Sequence, residues 1–461
     1  MSARTMSTAT PSDPAHERAQ RLQQLVRDAT GTAGPVLLER LTGGASRETL
    51  AVTTGDGDEQ QLVLRIDETG GLGGVSLQVE AAAMRAADDA GVAVPRVHAV
   101  GTDPALGAAY MLMDRIDGET IARRILRDDR FAAARTGLVG ELGATLARLH
   151  TIEVGDDLLA PAPEPLAALD DLAGARPPAP GLALGLRALH DERPEPGAEC
   201  LVHGDFRLGN LMVGPDGLRA VLDWELVHRG DPVEDLGWLC AKVWRFGSPH
   251  PAGGLGTRDE LLDAYAEVAG WRPSDARLAW WERYATVRWG LMCRVQADRH
   301  LSGAERSMEM VAIGRRSAEQ EFDVLLGLGL DHPHETREVL DDAPPAATGP
   351  YGSPTSDDLL DGLLHFLGTE VVPAGGSVGF QARVATNLAR TVRREARLGE
   401  EHRARHRVRL DRLGVADDDE LSRAIVTGSL DDRWEAVAEV VRESVRDRLA
   451  VANPAHTAQP G

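Results

Sequence analysis

Val202-His203-Gly204-Asp205-Phe206-Arg207-Leu208-Gly209-Asn210, followed by Val221-Leu222-Asp223-Trp224-Glu225, is the stretch that decides how this 461-residue chain is read. Asp205 and Asn210 stand five residues apart, and Asp223 follows Asn210 by thirteen. A carboxylate, a side-chain amide and a second carboxylate in that order suit phosphoryl transfer. An Asp beside a substrate hydroxyl can accept its proton. Asn and Asp also supply the hard oxygen ligands that Mg²⁺ prefers.

The flanking residues give these groups a scaffold. Cys200-Leu201-Val202 is an apolar run ending where the acid begins. Leu211-Met212-Val213 and Ala220-Val221-Leu222 read as two short strands around the tight turn Gly214-Pro215-Asp216-Gly217. Such a hairpin returns the second carboxylate to the end of the sheet where the first one sits. The competing reading is an ordinary hairpin with polar ends.

With these residues quoted, the segment resembles the aminoglycoside phosphotransferase and choline kinase-like family, whose signature runs H-G-D-x-x-x-x-N and then hydrophobic-D-[WF]. The resemblance extends over roughly residues 34 to 325. It implies an α+β, two-lobed protein-kinase-like fold, with a small β-rich N-lobe, a larger helical C-lobe and then an all-α C-terminal domain. It also implies ATP and Mg²⁺, with Asp205 catalytic and Asn210 and Asp223 as metal ligands. Leu41-Thr42-Gly43-Gly44-Ala45-Ser46-Arg47-Glu48-Thr49 looks like the family's nucleotide loop. There Gly43 and Gly44 would let the backbone approach the phosphates while Ser46 donates hydrogen bonds.

In Gln61-Leu62-Val63-Leu64-Arg65-Ile66, an alternating strand, Arg65 stands where kinases carry a phosphate-binding lysine. The chain's single lysine, Lys242, lies far downstream. Arg is a planar fork, not a point charge, so the substitution is not neutral. Glu80, within the helical stretch 77 to 90, is the expected partner of Arg65, the alternative being a solvent-facing helix residue. Tyr110-Met111-Leu112-Met113-Asp114-Arg115-Ile116-Asp117-Gly118 resembles the family's hinge, whose backbone near Met113, Asp114 and Arg115 would meet the adenine edge. Arg207 either stabilises the transferred phosphoryl group or pairs with Glu225 or another nearby acid. His150 reads as a helix-end or packing histidine, and Asp235 as a carboxylate that braces the catalytic loop.

Composition bounds the rest. Hydrophobic residues make up 43% of the chain, and no apolar run reaches membrane-span length. The N-terminus lacks a secretory pattern. Cys200, Cys240 and Cys293 are far apart, which suits free thiols in a reducing compartment, hence a cytoplasmic location. A net charge of −22 argues against nucleic acid as a partner.

The expected organisation is a disordered N-terminus at 1–14, an N-lobe at 15–118 and a C-lobe at 119–330. A linker follows at 331–355, then a helical domain at 356–452 and a disordered tail at 453–461. The Pro/Ala-rich stretch 159 to 180 reads as an irregular insertion, and Ser356 as a helix cap. The helix starting near Gly376 is rich in arginine, which suits either an anion-binding stripe or a solvated face with ion pairs. The tail resembles a helical module of unknown function that follows such kinase domains in some bacterial proteins; it could bind a protein partner or mediate self-association.

Three functional classes follow. The first is a kinase for a small-molecule hydroxyl; the wording Asp-Phe-Arg-Leu-Gly-Asn-Leu-Met resembles members associated with acyl-CoA metabolism, which favours a hydroxy-acyl acceptor over an aminoglycoside or amino alcohol. The second is a nucleotide-binding scaffold with a degenerate kinase fold. The third, a protein kinase, is disfavoured because no activation segment separates Asp223 from Asp235.

Overall fold

The computed structural model describes residues 14–41, 47–55, 59–68, 74–155, 159, 162–334 and 352–458. The chain divides into two compact units. One comprises Met1–Pro161, Gly197–Asp235 and Asp259–Arg272; the other comprises Ala162–Pro196, Leu236–Arg258 and Pro273–Gly461. The expected disorder of residues 1–13 and 459–461 lies outside the described residues.

The first unit is built on a five-stranded antiparallel sheet. Its strands are β1 (Val36–Arg40), β2 (Glu48–Thr54), β3 (Gln60–Asp67), β4 (Val97–Asp103) and β5 (Ala108–Asp114), in the order β1-β2-β3-β5-β4. The two-residue period of β3 decides which side chain goes where. Leu62, Leu64 and Ile66 enter the core beneath the helix Pro14–Thr30, against Leu22, Leu25 and Val26. Val63 and Arg65 therefore take the opposite face, where both line a cavity.

Two short ribbons complete this unit. β6 (Cys200–Val202) pairs with β9 (His228–Gly230), and β7 (Leu211–Gly214) pairs with β8 (Gly217–Val221). The three strands expected to form one small sheet thus belong to two. The turn after β6 and the 3-10 turn Leu208–Asn210 redirect the chain before β7 begins.

The second unit is helical. Leu184 of the helix Pro180–Asp191 and Phe322 and Leu325 of the helix Ser317–Gly327 share one core with Leu421, Val441 and Leu449 from the C-terminal helices. Part of the Pro/Ala-rich stretch is regular, with Glu164 capping the helix Pro165–Ala173. Thr355, not Ser356, caps the helix Ser356–Phe366, because Asp358 completes a capping box with it. Within the expected tail, Pro454–Ala458 forms a 3-10 turn in which His456 is buried and meets Asp323 at 2.8 Å. An acid already held by Lys242 at 3.0 Å gives that turn a fixed partner. Some arginines of the 38-residue helix Gly376–Leu413 are matched by acids, as in Arg393–Asp361, Arg397–Asp357 and Arg409–Asp447. Among the described residues, no helix is long and apolar enough to cross a membrane.

Candidate active site

The catalytic-loop residues are held by a buried carboxylate. Asp235, fully buried, accepts from the His203 and Gly204 amides at 2.8 and 2.9 Å. Burial alone would raise its pKa, but the His150 ring at 3.3 Å and the hydrogen bond from the His203 amide hold it below the ordinary carboxylate range. His150 caps the helix Ala132–Leu149 and also contacts the Tyr265 hydroxyl at 3.1 Å, so it is a bracing group. Gly204 has φ 80°, and a Cβ there would lie 2.5 Å from the Leu226 carbonyl oxygen, so only glycine fits this turn.

His203 carries the order onward. Its Nδ1 accepts from the Asp205 amide at 3.2 Å, which places the ring proton on Nε2, and Nε2 donates to the Leu222 carbonyl at 3.0 Å. The ring packs edge-on against Trp224 and Phe206. One buried imidazole therefore ties the residue before Asp223 to the loop that carries Asp205.

Three oxygen-bearing side chains gather at the ends of β7 and β8. The Leu222 amide donates to the Asn210 carbonyl at 2.8 Å, which sets Asp223 beside Asn210. Asn210 Nδ2 donates to Asp205 Oδ2 at 2.6 Å and to its carbonyl at 2.9 Å. This engages the amide nitrogen and leaves Asn210 Oδ1 as the ligand-side atom. Asp223 has φ 64°, a left-handed conformation that non-glycine residues adopt at a cost and that concentrates at functional sites. Among the described residues, no hydrogen bond or ion pair engages its carboxylate. Nor does any cluster of three or more His, Cys, Asp or Glu side chains form a metal cage by itself. Two protein oxygens beside a cavity instead suit Mg²⁺, which is held by one or two carboxylates together with substrate phosphates.

The cavity has a volume of about 560 Å³. Arg65, Met113, Asp114, Arg115, Asn210 and Asp223 all line it, with Val63, Met84 and Met212 as apolar walls. Glu80, 0% exposed, receives Arg65 Nη1 at 2.6 Å. It also receives Arg47, which the sequence reading left without a role. Arg47 further bonds Asp67 at 3.2 Å and the Val75 carbonyl at 2.7 Å. One buried carboxylate between two guanidiniums makes Glu80→Ala costly, because a buried cation then loses its counter-charge. The urea-unfolding free energy should fall by about 3–5 kcal/mol, and a loss under about 1 kcal/mol would mean the pair is worth no more than a surface one.

At the hinge, the Asp114 and Arg115 amides already donate to the Arg96 and Gln61 carbonyls, each at 3.0 Å. The Asp114 carboxylate meets His98 at 2.6 Å. The next amide, Ile116, lines the cavity and is bonded to no described backbone carbonyl. This amide, one residue beyond Arg115, is a donor this segment can offer a ligand. Arg207 Nε donates to Asp205 Oδ1 at 2.9 Å, so Asp205 is one nearby acid with which it pairs. Gly43, Gly44 and Ser46 lie outside the described residues.

Beneath the site, His228 joins Glu234 at 3.1 Å and the Leu226 carbonyl at 2.9 Å. Burial would lower its pKa, but Glu234 outweighs this and carries it up to about 9. A raised pKa means the protonated ring favours the folded state, fully so below its unfolded value of about 6.5. That contribution is lost as pH climbs through about 9. The unfolding free energy should decline by on the order of 1–3 kcal/mol between those limits, and His228→Gln should flatten the slope. An equal slope in that variant would place the titration elsewhere.

Comparison with known proteins locates this architecture. A model described as the phosphotransferase enzyme family matches residues 38–301, and a domain of unknown function, DUF6285, matches residues 373–456. A crystal structure of a protein ascribed to the aminoglycoside phosphotransferases of Ralstonia eutropha superposes with a TM-score of 0.54 at 22% identity, over 68% of this chain and 98% of that one. The fold is thus of the kinase-like type. Mouse (Mus musculus) acyl-CoA dehydrogenase family member 10 is 28% identical over 48% of this chain, and family member 11 is 27% identical over 37%. These stretches cover 22% and 24% of the two mouse proteins, so the chain spans less than a quarter of either.

Proposed function

The chain belongs to the phosphotransferase enzyme family, and from that premise we propose that it moves the γ-phosphate of ATP to a hydroxyl of a small molecule. The observation that carries this reading is the convergence of Asp205, Asn210 and Asp223, the last with no partner for its carboxylate among the described residues, beside a cavity that Arg65 also lines. Asp205 is the catalytic group that orients the acceptor hydroxyl and takes its proton. Asn210 and Asp223 would hold Mg²⁺, which when bound neutralises charge on the phosphates. Arg65, steadied by Glu80, faces the phosphates. Gly43, Gly44 and Ser46, outside the described residues, are assigned to phosphate binding from their sequence alone. Met113, Asp114 and Arg115 form the adenine wall, and the Ile116 amide donates to its edge. Arg207 takes a second role toward the transferred group, reached from its pairing with Asp205.

For the acceptor we favour a hydroxy-acyl or acyl-CoA-related metabolite, supported by the likeness to proteins named acyl-CoA dehydrogenase family members. An aminoglycoside or amino alcohol is the second reading. A scaffold role is disfavoured by the complete set of acid and amide groups. We also propose residues 15–118 as the nucleotide lobe, 119–330 as the catalytic lobe and 331–355 as a linker to a helical domain at 356–452. The cytoplasm is the proposed location, in keeping with three buried free cysteines. ADP release should be assayed with Mg²⁺ over hydroxy-acyl thioesters, amino sugars and amino alcohols. Turnover confined to amino sugars would refute the acyl reading, and ATP binding without ADP release on any acceptor would refute the enzyme.

A further inference from the structure

A second cavity, of about 370 Å³, lies wholly within the helical unit. Its walls come from the start of the helix Ser317–Gly327 and from the helices Gly376–Leu413, Asp418–Thr427 and Trp434–Ala452. Its size falls in the usual range for small-molecule sites. Small and apolar residues, Ala318, Gly399, Val451 and Ala452, form part of the lining.

The charges around it can be accounted for pair by pair. Arg315 meets Glu395 at 2.7 Å, Arg409 meets Asp447 at 2.7 Å, and Arg448 bridges Glu321 at 2.9 Å and Asp418 at 3.0 Å. Every carboxylate in the lining thus has a guanidinium. Arg403 is the lining cation for which no acid partner or hydrogen bond occurs among the described residues. Beside it, the half-buried His402 ring has Asp447 no closer than 3.7 Å, beyond hydrogen-bond reach. Arg448 Nε is buried without an acceptor. The buried Arg448 Nε calls for a water, ion or ligand as acceptor, and the exposed Arg403 guanidinium is open to an incoming ligand.

Gly399 supplies an independent observation. It is buried inside the 38-residue helix, where glycine is the least favoured residue after proline. A Cβ at that position would lie 3.1 Å from Arg403 Nη1. A side chain at that position would press on the tip of Arg403 and shift it by a few tenths of an ångström.

We infer that this cavity is a binding site for a small carboxylate with a short apolar body, its head group on Arg403 and His402 and its chain along the Ala318–Val451 wall. The four guanidiniums of the lining already balance its four carboxylates, so a monoanion leaves one excess negative charge where a dianionic phosphate would leave two, and the smaller excess favours the carboxylate. The site is separate from the phosphotransfer cavity and does not depend on the proposed acceptor.

The test is calorimetric titration of the full chain with hexanoate, acetate and inorganic phosphate at constant ionic strength. Hexanoate should saturate in the millimolar range or below, about tenfold tighter than either acetate or phosphate. Arg403→Ala, at an exposed position without an ion-pair partner, should fold normally and weaken hexanoate by about tenfold or more. Gly399→Ala should melt no lower than the parent, because alanine suits the helix, and weaken hexanoate more mildly than Arg403→Ala does, because its methyl shifts the Arg403 tip by a few tenths of an ångström. Absence of saturable hexanoate binding would overturn the inference, and so would binding that both variants leave unchanged or phosphate binding tighter than hexanoate.

Discussion

Asp205→Asn protein should release ADP roughly 10²–10⁴ times more slowly than the parent, the usual share of a positioned acid–base group. The substitution is nearly isosteric, yet it removes the proton acceptor and one of the two oxygens that now receive Arg207 and Asn210. ATP affinity should change little, because the Asp205 carboxylate is bonded to the catalytic loop and is not part of the cavity lining. The check is a paired measurement, turnover on an accepted hydroxyl and ATP binding by calorimetry. Turnover within threefold of the parent would remove Asp205 from the chemistry. Parallel collapse of turnover and ATP binding would instead reveal a damaged loop.

Asp223→Gly separates function from stability. The parent should gain about 2.7 kcal/mol of stability from Mg·ATP at a hundredfold excess over Kd, and the variant should lose the magnesium-dependent part of that gain. In the absence of ligand it should be no less stable, because glycine adopts φ near 64° without the strain an L side chain bears. Opposite signs for the free and nucleotide-bound protein would be difficult to obtain from general misfolding. Retention of the full magnesium-dependent shift in thermal melts would eliminate Asp223 as a ligand and, with it, the proposed cation site.

Much of the site could be read in the chain because its chemistry is nearly contiguous. Asp205, Asn210 and Asp223 sit within nineteen positions, joined by a hairpin whose turn residues are explicit, and their spacing survives folding because the β7–β8 register fixes it. The alternation in β3 likewise sends Arg65 to the cavity and its neighbours to the core, as a two-residue period must. The role of Arg47 is not legible in the sequence for a physical reason. Its partners Asp67, Val75 and Glu80 come from three later segments, and only burial turns an ordinary-looking arginine into a clamp.

Local sequence determined the residue types, the helix and strand periods and the order of oxygen ligands, since these depend on near neighbours and steric preference. Tertiary structure decided what remained: that β6 pairs with β9, that the Asp114 and Arg115 amides are already engaged, and that Pro454–Ala458 is anchored by His456. It also decided that helices spread over residues 317 to 452 enclose a cavity with one uncommitted guanidinium. Each of these outcomes is a choice of partner across a long loop. Desolvation makes that choice by penalising any buried polar group left unmatched, and that balance exists only once the chain has closed on itself.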